Sequence, residues 1–97
     1  GPLVPILTFK NFDEIIERAN NNDLGLCSYI YTNDLKKATR ASEMMETGCV
    51  AVNTAAVAVA EAPFGGIKQT GYGREGGSMA IKDYLNIKYT HFGISYE

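Results

Sequence analysis

Hydrophobic and polar positions change period several times along the chain, and each change marks an element. Leu3 to Phe9 is a short apolar, β-branched run and predicts a strand. From Phe12 the apolar positions are Phe12, Ile15, Ile16 and Ala19, which is helical spacing. Asn11 precedes that run and Glu14 follows three residues later, the pattern of a capping box. Polar Asn20–Gly25 ends in glycine and predicts the helix stop. Leu26 to Tyr31 predicts a second strand. Thr32-Asn33-Asp34 offers a cap for a second helix. Its apolar side carries Leu35, Ala38, Ala41 and Met45, and Gly48 suits the position just past its end. Cys49 to Asn53 predicts a third strand. It is apolar on both faces and so expected to be central.

The order strand–helix–strand–helix–strand, with short connections, implies parallel pairing and right-handed crossovers, hence an α/β layer. Three strands and two helices cover both faces of a sheet poorly. Further chain, upstream or from a partner, is expected to complete it.

After Asn53 the texture changes. Thr54–Ala62 is rich in alanine and valine, carries no charge before Glu61 and reads as an apolar loop. Such a stretch is either buried or lines an apolar cleft, and composition favours burial. Pro63-Phe64-Gly65-Gly66 predicts a turn. Gly65 to Gly77 then holds six of the ten glycines. Ser78–Leu85 predicts a short helix capped by Ser78. Ile87–Ile94 predicts a terminal strand, which needs a sheet to join in its own chain or in a partner.

The 97 residues suffice for one small domain. Hydrophobic residues make up 45% and charged residues 21%, which excludes a disordered chain. A net charge of −2 leaves no basic surplus for phosphates, so no nucleic-acid partner is expected. No apolar run approaches the ~20 residues of a membrane span, so no membrane partner is expected, and a cytoplasmic location is. Cys27 and Cys49 both lie in apolar runs and are expected to be buried, reduced thiols rather than a disulfide scaffold. His91, the one histidine, is far from both in sequence, so neither a metal cluster nor a thiol–base pair is expected.

Gly71-Tyr72-Gly73-Arg74-Glu75-Gly76 matches G-x-G-x-x-G, a dinucleotide fingerprint when a strand precedes it and a helix opens at it. Here one apolar residue stands in the four before it. Glu75 would face the phosphates, and the acid expected about 20 residues on could only be Glu97. A glycine-rich surface loop, held by Arg74 and Glu75 through backbone hydrogen bonds, is the expected reading.

Taken in order, the residues resemble the C-terminal end of an aldehyde dehydrogenase. The matching stretches are Gly1–Pro5, Ala19-Asn20, Leu24-Gly25-Leu26, Tyr29–Thr32 with Asp34-Leu35, and Gly48–Asn53. The long run Pro63–Gly76 is the most specific, with Thr70 where the family usually has serine. Asp83-Tyr84-Leu85 and Ile87-Lys88-Tyr89 follow. The tail Ile81–Tyr89 is most similar to the succinate-semialdehyde branch.

The resemblance implies an α/β fold. Residues 1–85 would be the last part of the catalytic domain: a three-layer strand–helix–strand–helix–strand unit, the Gly-rich loop and the short helix. Residues 86–97 would be an oligomerisation strand, making a homo-oligomer, dimer or tetramer. It implies oxidation of an aldehyde, succinate semialdehyde foremost, to its carboxylate with NAD or NADP. In the family a Cys thiolate attacks the aldehyde, hydride passes to the nicotinamide, and water activated by Glu releases the acyl group. The family positions for those catalytic residues and for most of the cofactor site lie upstream of Gly1. The 97 residues alone are therefore expected to be an inactive part of a longer chain, with no catalytic, cofactor-binding or metal residues of their own. What carries over is the substrate-tunnel wall: Val57, Ala58 and Phe64 as substrate-binding residues. Where the succinate-semialdehyde branch usually has a serine, five residues after Asn53, this chain has Ala58, which cannot hydrogen-bond a carboxylate. A less charged aldehyde is therefore one alternative. Two others are a non-catalytic interaction module working through Ile87–Ile94 and, on the Gly71–Gly76 match alone, a small nucleotide-binding domain.

Overall fold

A computed structural model of the chain describes residues 1–95; the last two residues of the expected tail, including Glu97, lie outside the described residues. Helix α1 spans Phe12–Asn20. Its start follows from Asn11, whose Oδ1 accepts from the Glu14 backbone N–H at 2.9 Å. The reciprocal arm of the capping box is displaced by one residue: Glu14 Oε2 accepts from the Lys10 N–H at 3.0 Å. Arg18 binds Glu14 at 3.2 Å and donates to the Thr8 carbonyl at 2.8 Å, tying the N-terminal arm to the helix. The helix ends at Asn21, whose N–H bonds the Glu17 carbonyl, and not at Gly25. Gly25 instead lies buried in strand β1, Leu24–Gly25, where an added Cβ would come within 2.9 Å of Ile67 and the Glu46 carbonyl.

Strand β2, Cys27–Ile30, runs into helix α2, Leu35–Met44, and returns as strand β3, Cys49–Val52. The strands pair in parallel, Cys27 opposite Cys49 and Ile30 opposite Val52, which gives the expected α/β crossover. Asp34 caps α2, accepting from the Lys37 N–H at 3.0 Å. Its small buried residues, Ala38 and Ala41, let the helix axis approach the sheet closely. The two helices lie side by side: the Asn20 amide donates to the Met44 carbonyl at 2.8 Å and accepts from the Glu46 N–H at 2.9 Å, and the Arg40 guanidinium stands 4.7 Å from the Phe12 ring centre. Gly48 does not terminate α2, whose cap is Met45. Glycine is required there for space, because a Cβ would sit 1.9 Å from the Gly65 carbonyl oxygen.

Strand β4, Ile67–Lys68, pairs antiparallel with β1. Pro63–Gly66 is not a turn: Phe64 makes an isolated antiparallel bridge with Glu75. The expected helix after Ser78 is a 3-10 helix over Ala80–Tyr84 whose cap position is Met79, with no side-chain cap bond.

Both end strands depart from expectation. Leu3–Phe9 and Ile87–Ile94 carry no strand, because none of the described residues lies alongside to pair with them. Ile6 is 86% exposed and Phe92 85%. Strand β3, expected to be central, has one strand neighbour among the described residues and leaves Val52 half-exposed. The buried apolar core is correspondingly small: Ile16, Ala38, Ala41 and Ala51. The radius of gyration, 19.9 Å, exceeds the ~13 Å of a compact domain this long.

Candidate functional site

Asn53 closes the sheet and launches the apolar loop. Its backbone φ of +55° is left-handed, a conformation asparagine tolerates better than most residues. Its N–H donates to the Ile30 carbonyl at 2.8 Å. Its side chain then binds both backbone groups of Thr32, accepting from the N–H and donating to the carbonyl, each at 2.9 Å. The chain that leaves this corner, Thr54–Ala62, is largely exposed and not buried as its composition favours. Val57 is half-buried, Ala58 exposed and Val59 half-exposed. The loop is pinned at its far end, where the Gly77 N–H donates to the Ala60 carbonyl at 2.8 Å.

Phe64 and Glu75 exchange two backbone hydrogen bonds of 2.7 Å. The glycine-rich loop lies between them. Arg74 Nη1 donates to the Gly66 carbonyl at 2.9 Å and the Gly73 carbonyl at 2.7 Å, and the Arg74 N–H donates to Asp83 Oδ2 at 2.8 Å. Arg74 thus holds the loop through backbone carbonyls, as expected, and Glu75 does so through its own backbone. Phe64 lines a cavity of about 340 Å³ with Gly65, Tyr72, Arg74 and Tyr84. Val57 and Ala58 do not line it.

Sequence reasoning missed two organising residues. Lys68, at a left-handed φ of +56°, donates to the Asn20 carbonyl at 2.8 Å and the Asn22 carbonyl at 3.2 Å, and meets Glu46 Oε2 at 2.7 Å. A cation there complements the carbonyl end of α1. Its partners lie far away in sequence and no local signal announces them. The clamp of Asn53 on Thr32 was also missed; asparagine directly after an apolar strand was its one local sign.

Cys27 and Cys49, far apart in sequence, stand opposite each other on β2 and β3. The Cys49 thiol donates to the Gly65 carbonyl at 3.6 Å. Burial, foremost, and then the adjacent Cys49 push the Cys27 thiol up. The His91 ring pairs with the Tyr89 hydroxyl at 3.1 Å, a tyrosine and not a thiol. Among the described residues no cluster of three His, Cys, Asp or Glu could hold a metal, and no helix is long and apolar enough to cross a membrane.

Gly71–Gly76 does not fit a dinucleotide. It follows a two-residue strand and opens no helix, so no row of helix N–H groups faces a pyrophosphate. The Arg74 guanidinium is committed to the loop's own carbonyls.

Residues 1–90 match the model of the aldehyde dehydrogenase family. The chain is 52% identical over 93 residues to a 3-sulfolactaldehyde dehydrogenase of Pseudomonas putida, covering 96% of this chain and 19% of that one. It is 48% identical to a succinate semialdehyde dehydrogenase of Acinetobacter baylyi, with the same coverage of each chain. The crystal structure of succinate-semialdehyde dehydrogenase from Burkholderia pseudomallei superposes with a TM-score of 0.86 at 42% identity, over 93% of this chain and 19% of that one. The chain therefore spans about a fifth of the length of these relatives. With its family match over nearly all of its length, and 93% of it superposing on a solved member, the chain belongs to the aldehyde dehydrogenase family.

Proposed function

We propose that this chain is the distal part of the catalytic domain of an NAD- or NADP-dependent dehydrogenase that oxidises an aldehyde, succinate semialdehyde foremost, to its carboxylate. The match of residues 1–90 to the family carries this reading. In it, Val57, Ala58 and Phe64 form part of the wall along which the aldehyde enters. In this reading the attacking thiol is neither of this chain's cysteines, since the family's catalytic position lies outside these residues and Cys27 and Cys49 face each other across β2 and β3. The nicotinamide cofactor is bound by other residues, since Gly71–Gly76 does not fit it. Residues 1–85 belong to the catalytic domain. Residues 86–97 form the strand that joins a neighbouring subunit's sheet in a dimer or tetramer, which accounts for the unpaired apolar Ile87, Phe92 and Ile94. The oligomer works in the cytoplasm.

A second reading differs only in substrate. No side chain in the stretch Val57-Ala58-Val59 can donate a hydrogen bond, which favours an aldehyde with an uncharged tail. One experiment separates the two. The intact native protein is given succinate semialdehyde, 3-sulfolactaldehyde or butanal with each cofactor, and formation of reduced nicotinamide is followed. Higher kcat/KM for either anionic aldehyde supports the first reading in substrate class. Higher kcat/KM for butanal supports the second. No turnover of any aldehyde refutes both.

A further inference from the structure

We propose that Cys27 and Cys49 are a redox modification site, at which hydrogen peroxide converts the two thiols to a disulfide joining β2 to β3. The register carries the inference. The two residues are direct partners on adjacent parallel strands, so their side chains leave the same face of the sheet. Neighbouring strands lie about 4.8 Å apart, inside the Cα separation of roughly 4.4–6.8 Å that a disulfide spans. Both cysteines are free and half-buried, and Cys27 borders a cavity of about 550 Å³, ample for a small peroxide. Their nearness is also felt in the Cys27 thiol, which burial first and Cys49 second push up.

The chemistry balances with the peroxide as oxidant. One sulfur attacks a peroxide oxygen and the O–O bond breaks. The departing hydroxide takes the thiol's proton and leaves as water, giving a sulfenic acid. The second sulfur then attacks the first and the S–O bond breaks. A second water leaves with the second thiol's proton. The two sulfurs together lose two electrons and the peroxide gains them. A thiol kept protonated is a slow nucleophile towards free peroxide, but closure needs no diffusion, because the partner sulfur is already adjacent.

Closure has a structural consequence. The Cys49 thiol proton donates to the Gly65 carbonyl, at the entry to the glycine-rich loop. A disulfide has no such proton. Oxidation therefore releases one anchor of that loop and leaves the bridge of Phe64 with Glu75 and the Arg74 contacts to hold it.

The test uses the intact native protein, treated with hydrogen peroxide and digested with trypsin without reductant. The expected product joins the peptides spanning 19–36 and 41–68, lighter than their sum by two hydrogens, and dithiothreitol abolishes it. Brief native trypsin treatment should cut after Lys68 or Arg74 several-fold faster in the oxidised protein, and reduction should restore the slower rate. In Cys27→Ser the same treatment should leave Cys49 as a sulfenic acid that dimedone traps. Sulfenic or sulfinic acids accumulating at both cysteines of the unmutated protein without the joined peptide would overturn the proposal. So would either peptide joined instead to a different cysteine. The joined peptide with unchanged cutting at Lys68 and Arg74 would overturn the link to the loop. None of these readouts depends on turnover.

Discussion

Asn53 binds Thr32 through both of its side-chain amide atoms, donating to the carbonyl and accepting from the N–H at 2.9 Å each. In a longer β3 the same two Thr32 groups would be met by two separate backbone groups, the carbonyl of one residue and the N–H of the residue two further on. The side chain thus extends the ladder one step past Val52 while the backbone, at a φ of +55°, turns away into Thr54–Ala62. The direction of the apolar loop is set here.

Asn53→Ala removes both bonds and leaves an alanine in a left-handed conformation. Each bond contributes about 0.5–1.5 kcal/mol, and alanine adds roughly 1 kcal/mol of backbone strain. Urea unfolding should show a loss of about 2–4 kcal/mol. Asn53→Gly, free of the strain, should lose about 1 kcal/mol less.

Gly48 has no room for a side chain beside Gly65. Gly48→Ala should therefore destabilise by about 3 kcal/mol or prevent folding. Thermal melts of Gly48→Ala beside the unmutated protein check this.

Lys68 joins the end of α1 to β4 through two carbonyls and Glu46. Lys68→Met keeps the aliphatic stem and removes these charge-assisted bonds. The expected cost is about 2 kcal/mol, with faster amide exchange over Leu24–Gly25 and Ile67–Lys68. An unchanged exchange pattern in a folded Lys68→Met protein would contradict the role given to Lys68.

The Cys27 thiol lies above its ordinary value of 9.0 in the folded chain, through burial first and Cys49 second. The folded state therefore keeps this proton longer than the unfolded state. The stability it contributes is complete below pH 9 and is lost as pH rises through the folded value. The intact protein should lose stability above pH 9, and Cys27→Ala should lose less over that interval. Iodoacetamide should alkylate Cys27 slowly at neutral pH and faster as pH rises.

Local chemistry determined much of what was legible in the sequence. The caps at Asn11 and Asp34, the helical spacing from Phe12 and from Leu35, and the parallel crossover between them are set by residues close together in the chain. So is the commitment of Arg74 to the glycine-rich loop. The misread elements depend on distant neighbours. Leu3–Phe9 and Ile87–Ile94 have strand composition, but a strand needs a partner, and composition cannot supply one. Gly48 has the position of a helix stop, and its actual role comes from Gly65, a residue of another segment. Of the wall residues, Phe64 is fixed by its bridge to Glu75. Val57 and Ala58 lie on a largely exposed loop that no strand or helix periodicity marks out. The pairing of Cys27 with Cys49 follows from strand register, which the apolar pattern of two short strands does not reveal.

The most direct measurement compares reduced-nicotinamide formation from succinate semialdehyde and from butanal by the intact native protein and by residues 1–97 alone. The account predicts turnover of at least one aldehyde by the intact protein and none by the isolated residues. Turnover by the isolated residues, or none by the intact protein, would contradict it.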